Sequence, residues 1–213
     1  MFYFYAIIFF LSIKLNLCCV KLEQSAQFNE KCIRAADVML IIDTSSRIDQ
    51  NEFDNMRLSL IHFIESLEIA DDKINLAILV FSDRIKFLQP FTSNKFDKII
   101  IKNKISDLKQ SIDASLTTRA LNFAKLSLQL SNRNQKIPRI AILFSNGAFQ
   151  DNEIRFVRKE SNFLKNAAQF ITVGIGKGSK SNSLKMLASC PNYFIQFDML
   201  KLLVKSISGL NCS

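Results

Sequence analysis

Asp37-Val38-Met39-Leu40-Ile41-Ile42-Asp43-Thr44-Ser45-Ser46-Arg47 is the stretch that decides the fold. Its apolar run is too short for a helix and rich in Ile and Val, so it predicts a strand buried on both faces. Asp43 and Ser45 then place an acid and a hydroxyl two positions apart where the strand leaves the sheet. Arg47 follows them with a permanent positive charge.

Outward from this strand, apolar runs alternate with helical spacing. Phe53, Met56, Leu60, Phe63, Ile64 and Leu67 recur at three- and four-residue steps and predict a helix over 49–68. Strands are expected at 74–81, 85–88, 137–144, 170–175 and 193–197. Further helices are expected at 120–130, 151–169 and 181–189, and a last one runs from Asp198 to near Leu210. Ile101, Ile105, Leu108 and Ile112 give a looser helical spacing. This order predicts an α/β fold, a doubly wound and mostly parallel sheet with helices on both faces. The close pair 74–81 and 85–88 supplies one short antiparallel edge strand. Ligands of such sheets sit outside the carboxyl ends of the strands, which puts the turns 43–47 and 145–147 at one end.

The chain has 213 residues and 48% hydrophobic content, enough for one domain with a full core. Residues 1–20 read as a secretory signal peptide, with an uncleaved N-terminal anchor as the alternative. Residues 21–34 form a polar leader and residues 35–212 the domain. No other stretch is apolar enough to span a membrane. Of the cysteines after the signal, Cys32 and Cys212 bracket the domain and are expected to bridge, leaving Cys190 free and buried. Three buried thiols of an intracellular protein are the alternative.

The net charge of +9 suits contact with anionic glycans or acidic proteins, but the basic residues are scattered. No nucleic-acid motif accompanies them. Catalysis has no candidate constellation: there is no Gly-x-Ser-x-Gly elbow, no Cys-x-x-Cys pair and no phosphate loop. The single His62 falls among the apolar residues of the first helix and is expected to be partly buried. Asn211-Cys212-Ser213 is formally a glycosylation sequon, expected to be little used.

The chain resembles the von Willebrand factor type A domain family, also called the integrin inserted-domain family. The pieces run in order: Asp37 to Ser45, Leu76-Ala77-Ile78-Leu79-Val80-Phe81-Ser82, Thr117-Thr118-Arg119-Ala120-Leu121, and Arg139 to Gly147. Ile171-Thr172-Val173-Gly174-Ile175-Gly176 and Leu187-Ala188-Ser189-Cys190-Pro191 complete the series. The flanking Cys32 and Cys212 also look like the secreted branch of the family.

The resemblance implies a metal-ion-dependent adhesion site holding Mg²⁺ through Asp-x-Ser-x-Ser, a Thr before a middle helix and an Asp after the fourth strand. Asp43 and Ser45 match the first two positions, and Ser115 stands at the Thr position. Arg47 replaces the second Ser, and Asn146 replaces the Asp. Thr117 matches a neighbouring Thr that does not ligate, and Thr118 replaces a Gly. Arg47, Thr117 and Thr118 are candidates for the face that meets a ligand.

One carboxylate of two is kept, and Asn146 can offer only a neutral oxygen. Two unit charges of like sign at about 4 Å repel by about 4 kcal/mol at an effective dielectric of 20, roughly doubled for a divalent ion. Arg47 is therefore expected either to pair with Asp43 or to turn to solvent, and the Mg²⁺ site to be weak or lost. The resemblance implies a secreted, non-enzymatic adhesion domain that contacts an extracellular protein or matrix component. The competing reading is a basic glycan-binding or structural module with no ligand at the former metal face.

Overall fold

The central strand β1, Ala36–Asp43, is buried along its whole length. That is the environment its unbroken apolar run requires, since a parallel strand covered on both faces has no solvent side for alternating polar residues. The computed structural model describes residues 35–91, 97–112, 115–131, 133–134, 136–200 and 203.

Strand β2, Ile74–Phe81, and strand β4, Arg139–Ser145, flank β1 in parallel. Strand β5, Gln169–Gly174, pairs with β4, and the short β6, Phe194–Gln196, pairs with β5. Strand β3, Ile85–Gln89, turns back antiparallel on β2. The sheet order is β3-β2-β1-β4-β5-β6. This is the doubly wound sheet with one antiparallel edge strand that the alternation of runs implies.

Side chains that alternate along β1 feed two separate cores. Val38, Leu40 and Ile42 pack against helix α1, Gln50–Ser66, and helix α2, Lys98–Ser106. Met39 and Ile41 face helices α3, Thr117–Gln129, α4, Asp151–Ala167, and α5, Ser181–Leu187. Phe53, Met56 and Leu60 of α1 are almost completely buried. Each such side chain stabilises the fold by roughly 1.5–3 kcal/mol. Asp49 caps α1, accepting from the backbone N–H groups of Asn51 and Glu52.

Three local expectations are corrected. His62 is exposed, because it lies on the solvent side of α1 between the buried positions Leu60 and Phe63. Ile112 does not extend α2; the helix stops at Ser106, and Ile112 is 90% exposed in the loop beyond it. Cys190 is not a free thiol but half of a disulfide, buried against the α1 face of the sheet. The expected Cys32–Cys212 bridge, the signal, the leader and most of the last helix lie outside the described residues.

The amino-terminal end of β1 carries a buried charge. Asp37 is 1% exposed, and it accepts from Ser131 Oγ at 2.6 Å and Arg133 Nη1 at 3.2 Å. Arg133 Nη1 also donates to the carbonyls of Ala36 and Lys73. A buried carboxylate persists when it is paired and hydrogen-bonded in this way.

At the other end, loops pass over the sheet. Gly176 has φ of +80°, and a Cβ there would lie 1.8 Å from Glu52 Oε2. Glu52 of α1 fills that space and accepts from the Lys177 N–H at 2.9 Å. Gly147, with φ of +71°, lets the turn after β4 approach Leu184 of α5.

Candidate functional site

The candidate site lies at the carboxyl ends of β1 and β4. Asp43 is the last residue of β1 and Ser145 the last of β4, so neighbouring parallel strands bring them together. Ser145 Oγ donates to Asp43 Oδ2 at 3.0 Å, and Ser115 Oγ donates to the same oxygen at 3.4 Å. Asp43 Oδ1 accepts from the Ser45 N–H at 3.0 Å. Ser115 Oγ and Thr117 Oγ1 are 3.0 Å apart, which ties the residue before α3 to its first turn.

Burial raises the Asp43 carboxyl above its usual range, against the lowering pull of Ser45, Ser145 and the Arg47 charge. Asp43 is 1% exposed and has no ion pair among the described residues. It is thus a buried carboxylate held by hydroxyls and one amide.

The first loop is shaped by its neighbours. Thr44 Oγ1 donates to the Phe81 carbonyl at 3.1 Å, and the Ser111 N–H donates to the Thr44 carbonyl at 2.8 Å. Gln110 Nε2 donates to the carbonyls of Ser45 and Ile48. Ser46 Oγ donates to the Ile112 carbonyl at 3.0 Å. The turn after α2 therefore clamps the loop after β1.

Arg47 neither pairs with Asp43 nor turns to solvent, which corrects both expectations. It is half-buried, and its Nη1 donates to the Ala148 carbonyl at 2.9 Å across the gap to the loop after β4. Asn146 reaches the other way, its Nδ2 donating to the Arg47 carbonyl. Its Oδ1 accepts from the Ala148 N–H at 3.0 Å. The amide oxygen that Asn146 was expected to offer a cation is thus engaged within its own turn.

The structure brings Asp43, Ser45 and Ser115 together, while the Asn146 side chain is spent on the Arg47 carbonyl and the Ala148 N–H. Thr117 is fully buried, which removes it from the surface a partner would touch. Thr118 is partly exposed, and its N–H approaches Glu153 Oε1 of α4 at 3.5 Å. Two hydroxyl oxygens here are buried without a hydrogen-bond partner, Ser45 Oγ and Thr118 Oγ1. Ser45 Oγ sits beside the Asp43 carboxylate, but its geometry completes no hydrogen bond. Such atoms cost free energy unless a ligand satisfies them.

Sequence reasoning missed Ser145, Gln110 and Glu153. Ser145 was within reach of it, as the residue just before Asn146. Gln110 and Glu153 carry no signal, because their roles depend on how distant turns fold over the loop. Among the described residues no three His, Cys, Asp or Glu side chains converge on one point.

The sequence model of the von Willebrand factor type A domain matches residues 37–208. The collagen alpha-6(VI) chain of Mus musculus is 23% identical over 160 residues, covering 73% of this chain and 7% of the collagen. Matrilin-3 of Gallus gallus is 24% identical over 163 residues, 74% of this chain and 35% of the matrilin. The chain therefore spans a minor part of the length of these relatives. Among solved structures, the manganese-loaded Plasmodium vivax TRAP protein superposes with a TM-score of 0.70 at 22% identity, covering 81% of this chain and 73% of that one. Proximal thread matrix protein 1 from the mussel byssus, with a zinc occupied MIDAS motif, gives 0.64 at 21% identity, with 85% and 46% covered. At these identities the structural likeness is one of fold. The match over 37–208, the sheet order and the placement of Asp43 at the end of β1 together put this chain in the von Willebrand factor type A domain family.

Proposed function

We propose that this chain is a secreted, non-enzymatic adhesion domain that binds an extracellular protein or matrix component at the carboxyl end of its sheet without a resident cation. The observation that carries this reading is the cross-link between the loops after β1 and β4. Arg47 and Asn146 join them through side-chain to backbone hydrogen bonds, which hold together two loops that a shared cation would otherwise bridge.

The donor set supports the cation-free reading. Asp43 is the one carboxylate among the positions matched to the family's ligands, both of its oxygens already accept hydrogen bonds, and the Asn146 oxygen is engaged. A hard divalent ion needs several free oxygens and charge to offset its dehydration. The positive Arg47 adds repulsion. Thr118, partly exposed and with a hydroxyl that has no partner, is the residue of this set that a binding partner would meet. Secretion and an extracellular partner rest on the signal-like start and on the matrix relatives. No helix among the described residues is long and apolar enough to cross a membrane.

The test is binding of the full chain to immobilised extracellular-matrix extract in EDTA and in Mg²⁺. Equal binding in both is expected, with loss on Thr118→Arg, which would crowd the partly exposed mouth of the site. Binding that requires Mg²⁺, or that Thr118→Arg leaves unchanged, would overturn the proposal.

A further inference from the structure

At the opposite end of the sheet a second surface gathers positive charge. A cleft of about 810 Å³ opens where β4 and β5 begin. Lys136 comes from the loop before β4, Arg139 is the first residue of β4, and Lys165 stands in the last turn of α4. Among the described residues no Asp or Glu lines the cleft. None of the three cations has an ion pair among the described residues.

Two of them are incompletely answered by the residues around them. Arg139 Nε is buried without a hydrogen-bond partner. Among the described residues Lys165 Nζ donates to neutral acceptors, Asn162 Oδ1 at 3.4 Å and the Met186 carbonyl at 3.2 Å. Burial lowers the Lys165 ammonium below its usual value, with no carboxylate to restore it. A lysine at a helix carboxyl end is favoured by the helix dipole, and that accounts for its position. It does not account for Arg139 and Lys136 converging from a strand and a loop.

We propose that this cleft binds a sulfated glycan. Guanidinium and ammonium groups pair with oxyanions through charge-assisted hydrogen bonds, Arg139 with a planar fork and the lysines as point charges. A single sulfate or phosphate would fill only a small part of the volume. The remaining wall carries the amides of Gln129, Asn166 and Gln169, groups suited to sugar hydroxyls. The three cations come from a loop, a strand and a helix that border the one cleft, which suits several sulfates along a short oligosaccharide. This site does not depend on the loops around Asp43, so either proposal can fail alone.

The test is fluorescence polarisation of a labelled heparin-derived tetrasaccharide against the full chain in EDTA. Binding is expected to weaken with salt and to be lost with the desulfated tetrasaccharide. The double variant Lys136→Gln/Lys165→Gln is expected to bind at least about tenfold more weakly, while Lys98→Gln/Lys102→Gln on α2 stays within about twofold. Circular dichroism melts of both variants verify folding. Undiminished binding by the cleft variant, or an equal loss in the α2 control, would overturn the assignment. So would inorganic sulfate or phosphate competing as tightly as the tetrasaccharide, or tighter binding of a phosphoserine peptide.

Discussion

If the Arg47–Asn146 cross-link stands in for a cation, restoring the acid at position 146 should cost stability until a metal is supplied. Asn146→Asp exchanges Nδ2, the donor to the Arg47 carbonyl, for an oxygen. One hydrogen bond is lost, and a carbonyl is left facing a carboxylate, at a cost of about 2 kcal/mol. For a domain of this size each kcal/mol moves Tm by roughly 2–4 °C, so the variant should melt about 4–8 °C lower in EDTA. Adding Arg47→Ser removes the 2.9 Å bond to the Ala148 carbonyl, a further loss of about 1 kcal/mol. It also removes the positive charge and supplies a third hydroxyl. The double variant then offers two carboxylates to a cation. At a Mg²⁺ concentration about one hundred times its Kd, binding returns about 2.7 kcal/mol. The assay is differential scanning fluorimetry of wild type, single and double variants, each in EDTA and in Mg²⁺. Wild type should be indifferent to Mg²⁺ and the double variant should gain roughly 5–10 °C. A wild-type rise in Tm with Mg²⁺, abolished by Asp43→Ala, would refute the reasoning. A double variant unmoved by Mg²⁺ would refute the proposal that Arg47 and Asn146 keep a cation out.

Two other perturbations read different parts of the same end of the sheet. Gly176→Ala should destabilise the domain by about 2–4 kcal/mol in urea unfolding, since it combines a left-handed backbone with displacement of the Glu52 carboxylate; a change within experimental error would mean that the Glu52 contact is dispensable. Asp43 has a folded-state carboxyl raised above 3.8, so its contribution to stability is fully present below that value and is lost as pH rises through the raised one. Asp43→Asn, which does not titrate, should therefore gain on wild type between pH 3.5 and pH 7 in urea unfolding, and a difference that shrinks over that interval would show the carboxylate to be stabilised by a charge.

The strands were legible because burial on both faces demands unbroken apolar runs, a strictly local property. The run 38–42 became β1, and Phe53, Met56, Leu60, Phe63 and Ile64 became the buried stripe of α1. His62 and Ile112 were misread for a related reason: an apolar neighbourhood in sequence does not say which way one residue points. His62 falls between two inward positions of the helix, and Ile112 lies after the helix has ended. Cys190 could not be assigned by counting cysteines, because pairing is a matter of distance between chain segments.

By itself, then, the sequence determined the α/β class, the family, the ends of the central strands and the presence of Asp43, Ser45 and Ser115 at one of them. These follow from periodicity and from residues a few positions apart. Only the tertiary structure decided what those residues do there. It turned Arg47 onto the Ala148 carbonyl, spent the Asn146 oxygen on its own turn and left two hydroxyls without partners. It also assembled a cationic cleft from Lys136, Arg139 and Lys165, which looked scattered along the chain. A charge or a hydrogen-bonding group has its effect through distance and direction, and both are set by strand register and loop path rather than by order along the chain.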